Sequence, residues 1–149
     1  MREIRLHDTR TGKVLALEPR DPGRVGIYAC GPTVYSRIHL GNARPFVVFS
    51  VMKRHLEHEG YGVRLVMNIT DVNDKIYAAA RERGVPSAEL AREMAAAYVA
   101  DTDALGLGRP DAEPLASESM SAIVAYIEAL VSSGHAYERG GDVYFRVRS

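Results

Sequence analysis

RVGIYACGPTVYSRIHLGNARPFVVFSVMKRHLEHEGYGVRLVMNI, residues 24 to 69, decides the fold. It opens on a short apolar run, Arg24 to Cys30, which follows the Asp21-Pro22-Gly23 break and reads as a buried strand. Gly31 to Leu40 is a loop. Phe46, Val47, Phe49, Val51, Met52 and Leu56 then mark an apolar-rich helix, with Gly60 as its stop. Pro45 has no N–H and is tolerated in a first turn. The helix is therefore predicted to begin between Gly41 and Arg44, with His39 and Gly41 at its entrance. Val63 to Ile69 is a second apolar strand. Strand, crossover helix and strand make a βαβ unit, which predicts two parallel strands joined by a right-handed crossover.

Outward from this unit the elements are simpler. Ile4 to Leu6 and Val14 to Leu17 flank a turn at Thr11-Gly12 and read as a hairpin. Asp71 to Arg83 is predicted as a helix ended by Gly84, and Ser87 to Leu105 as an alanine-rich one. A loop with Gly106, Gly108, Pro110 and Pro114 follows. In Ser117 to Ser133, Met120, Ile123, Val124, Ile127, Leu130 and Val131 recur at helical spacing, with Ser117 as a capping candidate and Gly134 as the stop. Ala136-Tyr137 and Val143 to Val147 flank Gly140-Gly141 as a last hairpin.

Bulk properties exclude several classes. The chain has 149 residues, 46% hydrophobic and 26% charged, which is ordinary globular composition and fits one domain. Nineteen basic and 19 acidic residues cancel, so charge gives no support to nucleic-acid binding. No apolar run is long enough to cross a membrane, and Met1 to Arg5 lacks the apolar core of a signal peptide. The single cysteine, Cys30, excludes an internal disulfide and suits a reducing cytoplasm.

Chemistry is expected in Cys30 to Arg44, CGPTVYSRIHLGNAR, which leaves the carboxyl end of a strand and enters a helix. Ligands of open α/β sheets bind at that edge, where free N–H groups and the helix dipole attract phosphate. Gly31 and Gly41 let a ligand approach the backbone, His39 offers an N–H to phosphate, and Thr33 a hydroxyl. Each has a plainer reading: a histidine at a helix entrance caps or packs, Gly41 eases packing, and Cys30 is a small buried hydrophobe. The Asp71 and Asp74 pair suggests magnesium, but also a solvated helix start favoured by the dipole.

His39-Leu40-Gly41-Asn42 resembles the HIGH signature of class I aminoacyl-tRNA synthetases. Cys30-Gly31-Pro32-Thr33-Val34-Tyr35 upstream and Asn68-Ile69-Thr70-Asp71-Val72-Asn73-Asp74-Lys75 downstream narrow the resemblance to cysteinyl-tRNA synthetases. LGLGRPDAEP (105–114) and GHAYERGGDVYF (134–145) extend it over nearly the whole chain. Asn42 stands where the signature ends in histidine and still offers an amide donor.

The resemblance implies an α/β fold: the first half of a Rossmann-like, HUP-type parallel sheet with flanking helices, over residues 1–115. The start of a connective insertion would follow at 116–149. It implies ATP, with Mg2+, as substrate for activating L-cysteine, and transfer of the cysteinyl group to tRNA(Cys) by a cytoplasmic, monomeric enzyme. His39 and Asn42 would act on the phosphates, Thr33 and Gly41 would complete the ATP site, and Gly31 and Thr70 would hold substrate cysteine. Cys30 matches one of the family's four zinc ligands; His55 and His58 lie away from that strand edge. No lysine-rich KMSKS-type loop occurs here, since Lys13, Lys53 and Lys75 are the only lysines, so the chain alone is expected not to charge tRNA. The alternatives are a non-catalytic nucleotide- or metal-binding module of the same descent, or the related ligase that joins cysteine to an amino sugar in mycothiol synthesis.

Overall fold

The computed structural model describes residues 2–148; Met1 and Ser149, the outer limits of the two predicted segments, lie outside the described residues. Strands β1 (Arg5–Asp8) and β2 (Lys13–Ala16) pair antiparallel as a hairpin. Its turn is held by Asp8, whose carboxylate accepts from the Arg10 and Thr11 N–H groups at 3.2 and 3.1 Å.

Strand β3 (Arg24–Ala29), helix α1 (Leu40–His58) and strand β4 (Gly62–Met67) form the βαβ unit, and β3 and β4 pair in parallel from Arg24↔Gly62 to Ala29↔Met67. The strands alternate. Val25 and Ala29 on β3, and Leu65 and Met67 on β4, are buried, whereas Arg24, Gly26, Tyr28, Gly62 and Arg64 are exposed. Ala29, Leu65, Met67 and Ile69 share one core with Phe46 of α1, Ile76 and Ala80 of α2 (Asp74–Arg83), and Leu90, Met94 and Tyr98 of α3 (Ser87–Ala104). The three helices therefore cover the same sheet face.

Three boundaries differ from the sequence expectation. Helix α1 starts at Leu40, with His39 as its N-cap, and Pro45 lies inside the helix rather than in its first turn. The proline is tolerated there at the cost of the donor that would have met the Gly41 carbonyl. Helix α2 starts at Asp74, because Asn73 caps it by accepting from the Lys75 N–H at 3.0 Å. Asp71 is thus not part of a helix start. It accepts from both the N–H and the hydroxyl of Ser117. Ser117 accordingly caps no helix; it opens a 3-10 turn, Ser117–Ser119, ahead of α4 (Met120–Ser132).

The largest difference lies in the segment read as a loop before Ser117. Residues 111–116 run parallel to β4 as an irregular third strand, with bridges Val66↔Ala112 and Ile69↔Leu115. The Met67 and Ile69 N–H groups donate to the carbonyls of Ala112 and Pro114 at 3.0 and 2.9 Å, and Ala116 N–H donates to Ile69 at 3.0 Å. Pro114 serves as an acceptor, the one ladder role a proline keeps. Asp111 adds a side chain to the ladder: its carboxylate accepts from Leu65 N–H at 2.7 Å and Lys53 Nζ at 2.8 Å.

Helix α4 and the hairpin of β5 (Ala136–Arg139) and β6 (Asp142–Phe145) complete the chain. No side chain of α4 is buried, and Val124 is 47% exposed, so its apolar stripe faces none of the core described above.

Candidate active site

Beyond β3 and β4 the two chain segments stay tied. Thr70 N–H donates to Pro32 O at 2.9 Å and Val34 N–H to Thr70 O at 3.1 Å, with a parallel bridge Thr33↔Thr70. Gly31 lies where they come closest. A Cβ on it would stand 1.7 Å from the Asn68 carbonyl oxygen, so glycine is demanded by the neighbouring strand itself, not by a ligand. Asn68 organises this edge. Its Oδ1 accepts from Gly31 N–H at 3.2 Å and Tyr28 OH at 3.1 Å, and its Nδ2 donates to Thr70 Oγ1 at 3.1 Å. One amide thereby sets the backbone after Cys30 and the hydroxyl of Thr70 together.

The entrance to α1 is a closed capping box. His39 Nδ1 accepts from the N–H groups of Gly41 at 3.0 Å and Asn42 at 3.3 Å, and Asn42 Oδ1 accepts from His39 N–H at 3.3 Å. Ring and amide orientations follow from this network. An accepting Nδ1 leaves the neutral ring with its proton on Nε2, and an accepting Oδ1 leaves Asn42 Nδ2 as a donor. The cap consumes the backbone amides of Gly41 and Asn42, which are therefore not among the free N–H groups expected at the helix entrance. The donors that the cap leaves unused are His39 Nε2–H and Asn42 Nδ2. Gly41 is small for the same reason: a Cβ there would meet His39 Cε1 at 2.9 Å.

Cys30, Gly31, Thr33, Gly41 and Asn42 line one cleft of about 300 Å³ at this edge. His39 and Thr70 do not line it; each is held against residues that do. Arg37 and Lys75 also line the cleft. Arg37 is paired with Asp101, and Lys75 Nζ lies 5.7 Å from the Tyr35 ring centroid. Asn68 and Lys75 are the functional candidates to which sequence reasoning assigned no site role. Their signal was the run N-I-T-D-V-N-D-K, where polar residues at once follow a buried strand. Cys30 is an exposed free thiol, and among the described residues no three His, Cys, Asp or Glu side chains stand together as a metal site. A parallel βαβ sheet with a histidine-capped, glycine-bearing crossover helix at its carboxyl edge is the kind of scaffold that binds nucleotides.

The fold is that of the class I aminoacyl-tRNA synthetases. A methionyl-tRNA synthetase of Mycobacterium tuberculosis, solved with methionyl-adenylate, superposes with a TM-score of 0.67 at 22% identity, over 75% of this chain and 23% of that one. A LeuRS of Agrobacterium radiobacter K84, solved in a ternary complex with tRNA and LeuAMS, gives a TM-score of 0.69 at 21% identity, over 80% and 16%.

Residues 16–149 match the model of the tRNA synthetases class I (C) catalytic domain, and the chain belongs to that family. It is 47% identical to a cysteine–tRNA ligase of Exiguobacterium sibiricum over 98% of its own length and 31% of the relative's. The corresponding protein of Symbiobacterium thermophilum is 48% identical over 97% and 31%. The chain thus spans about a third of the length of these relatives. No helix of the described residues is long and apolar enough to cross a membrane.

Proposed function

We propose that the chain forms the ATP- and cysteine-binding part of a cytoplasmic cysteine–tRNA ligase. The activity is formation of cysteinyl-adenylate from L-cysteine and ATP, followed by transfer of the cysteinyl group to tRNA(Cys). Residues 116–149 begin its connective insertion. The observation that carries the reading is the His39–Gly41–Asn42 box, which fixes two side-chain donors beside a cleft built from the strand ends. In activation the cysteine carboxylate forms a bond to the α-phosphorus of ATP, supplied as its Mg2+ complex, as the bond to pyrophosphate breaks. Positioned donors suit such a step, because charge moves onto the leaving phosphates.

In this reading His39 Nε2–H and Asn42 Nδ2 hold the phosphates, with Thr33 and Gly41 completing the ATP site. Gly31 and Thr70, aligned by Asn68, hold cysteine. Bound zinc would supply a soft centre that discriminates a thiol from a hydroxyl. The described residues do not fit a whole zinc site, since no two further His, Cys, Asp or Glu side chains stand with Cys30.

Calorimetry with ATP on the 149-residue chain tests the reading. His39→Asn keeps a good N-cap but removes the Nε2 donor. We expect ATP affinity to fall roughly 10-fold, the value of one hydrogen bond to a charged group, while thermal stability holds. Unchanged affinity in both His39→Asn and Asn42→Ala would show that the box serves only as a cap.

A further inference from the structure

Behind the cleft, on the other side of Phe46, lies a second cavity of about 230 Å³. Phe46 is the one residue lining both. Its ring stands edge-on to Tyr98, centroids 5.2 Å apart. The rear floor is apolar and fully inside the core: Phe46, Leu65, Met67 and Tyr98. The rim carries three cations, Lys53, Arg54 and Arg109, against one carboxylate, Glu57.

Two of those cations are engaged. Lys53 Nζ lies 2.8 Å from Asp111 and 3.9 Å from Glu57. Arg109 pairs with Glu113 and Asp103 and donates to Thr102 Oγ1 at 3.3 Å. Arg54 has no ion pair or hydrogen bond among the described residues. Nor do the N–H groups of Gly108 and Arg109, in the loop at the same rim, find a protein acceptor there. The cavity therefore joins an apolar floor to an exposed guanidinium and two exposed amide donors, none of which has a partner among the described residues. That combination suits an anion with an apolar body and disfavours a cation. A dry cavity of about 150 Å³ holds benzene, so this one has room for a ring and a short acidic tail.

The geometry points to a second binding site. The rear cavity takes a small carboxylate with an aromatic or branched aliphatic body, its body on Phe46, Leu65, Met67 and Tyr98 and its carboxylate on Arg54. The site stands apart from the nucleotide reading, since none of its polar groups serves the front cleft. It touches that cleft only through Phe46, so an occupant presses on the front cleft's rear wall.

The probe is 3-phenylpropionate, titrated into the 15N-labelled 149-residue chain, with 3-phenylpropan-1-ol as the neutral counterpart. Amide shifts are expected at Leu65, Met67, Tyr98 and Leu107, with a dissociation constant on the order of 1 mM for a ligand of this size. The alcohol should bind at least roughly fivefold more weakly, the scale of one charge-assisted contact. Arg54→Gln, an exposed helix position, should weaken the acid to the level of the alcohol and leave the alcohol unchanged. Absence of shifts at concentrations well above that constant, shifts confined to Cys30 through Asn42, or an Arg54→Gln variant that binds the acid like the parent would each overturn the site.

Discussion

Gly41 and Gly31 look alike in sequence and do different work. At Gly41 the obstacle to a side chain is the His39 ring, a group able to swing away. Gly41→Ala gains up to about 1 kcal/mol of helix propensity and loses a cap worth about the same. Stability should therefore barely change, while the displaced ring should lower ATP affinity roughly 10-fold; melting curves and calorimetry on one preparation separate the two. At Gly31 the obstacle is the Asn68 backbone carbonyl, 1.7 Å from the would-be Cβ, and nothing flexible can yield. Gly31→Ala should cost about 3 kcal/mol or more, visible as a large drop in the denaturation midpoint. A midpoint near that of the parent would mean the two strand ends are not so closely apposed.

Asp111 and Asp71 are two of the carboxylates that join elements. Asp111 links the irregular strand to α1 and β4. The hydrogen bond from Lys53, and after it that from Leu65 N–H, holds its pKa below the ordinary 3.8. A depressed folded pKa stabilises the fold above the unfolded value, and that contribution is lost as pH falls through the folded one. Asp111→Asn should therefore destabilise at neutral pH, with the difference from the parent shrinking as pH drops below about 3.8. The carboxylate is 38% exposed, which keeps the effect on the order of 1 kcal/mol. A pH-independent difference in urea midpoints would refute the ion-pair account. Asp71 makes the second link, anchoring Ser117 ahead of a helix with no buried side chain. Asp71→Ala should accelerate amide exchange across Met120–Ser132 roughly 5- to 30-fold, with β3 and β4 unaffected. Equal acceleration in both regions would mean that they open as one unit.

At the scale of the whole molecule, the chain covers about a third of the cysteine–tRNA ligases it matches, and lysine occurs only at Lys13, Lys53 and Lys75. We expect the 149-residue polypeptide to bind ATP without catalysing cysteine-dependent exchange of pyrophosphate into ATP. Each missing set of preorganised donors costs on the order of 10²–10³ in rate. Robust exchange, abolished by His39→Ala, would place the whole activating machinery inside these residues.

The parallel βαβ unit and the helices α1 to α3 were legible in the sequence, because burial on a sheet face enforces apolar runs and helical packing enforces a period. The loop from Cys30 and the HLGN entrance could be found for a related reason: polar and glycine residues interrupt apolar runs only where the backbone must turn. The third strand could not be read. Its ladder rests on carbonyls from a segment broken by Pro110 and Pro114, and proline erases the usual strand signal without removing the acceptor. The start of α2 moved because Asn73 caps it, and Asp71, expected as its first residue, accepts from Ser117, 46 residues away. Likewise the choice between cap and ligand donor at His39 rests on which ring nitrogen meets Gly41, and Asn68's bridge joins residues 37 apart. Local pattern set the elements. Contacts between residues distant in the chain decided which polar atoms were used up and which were left to bind, because a hydrogen bond depends on distances that only the folded chain creates.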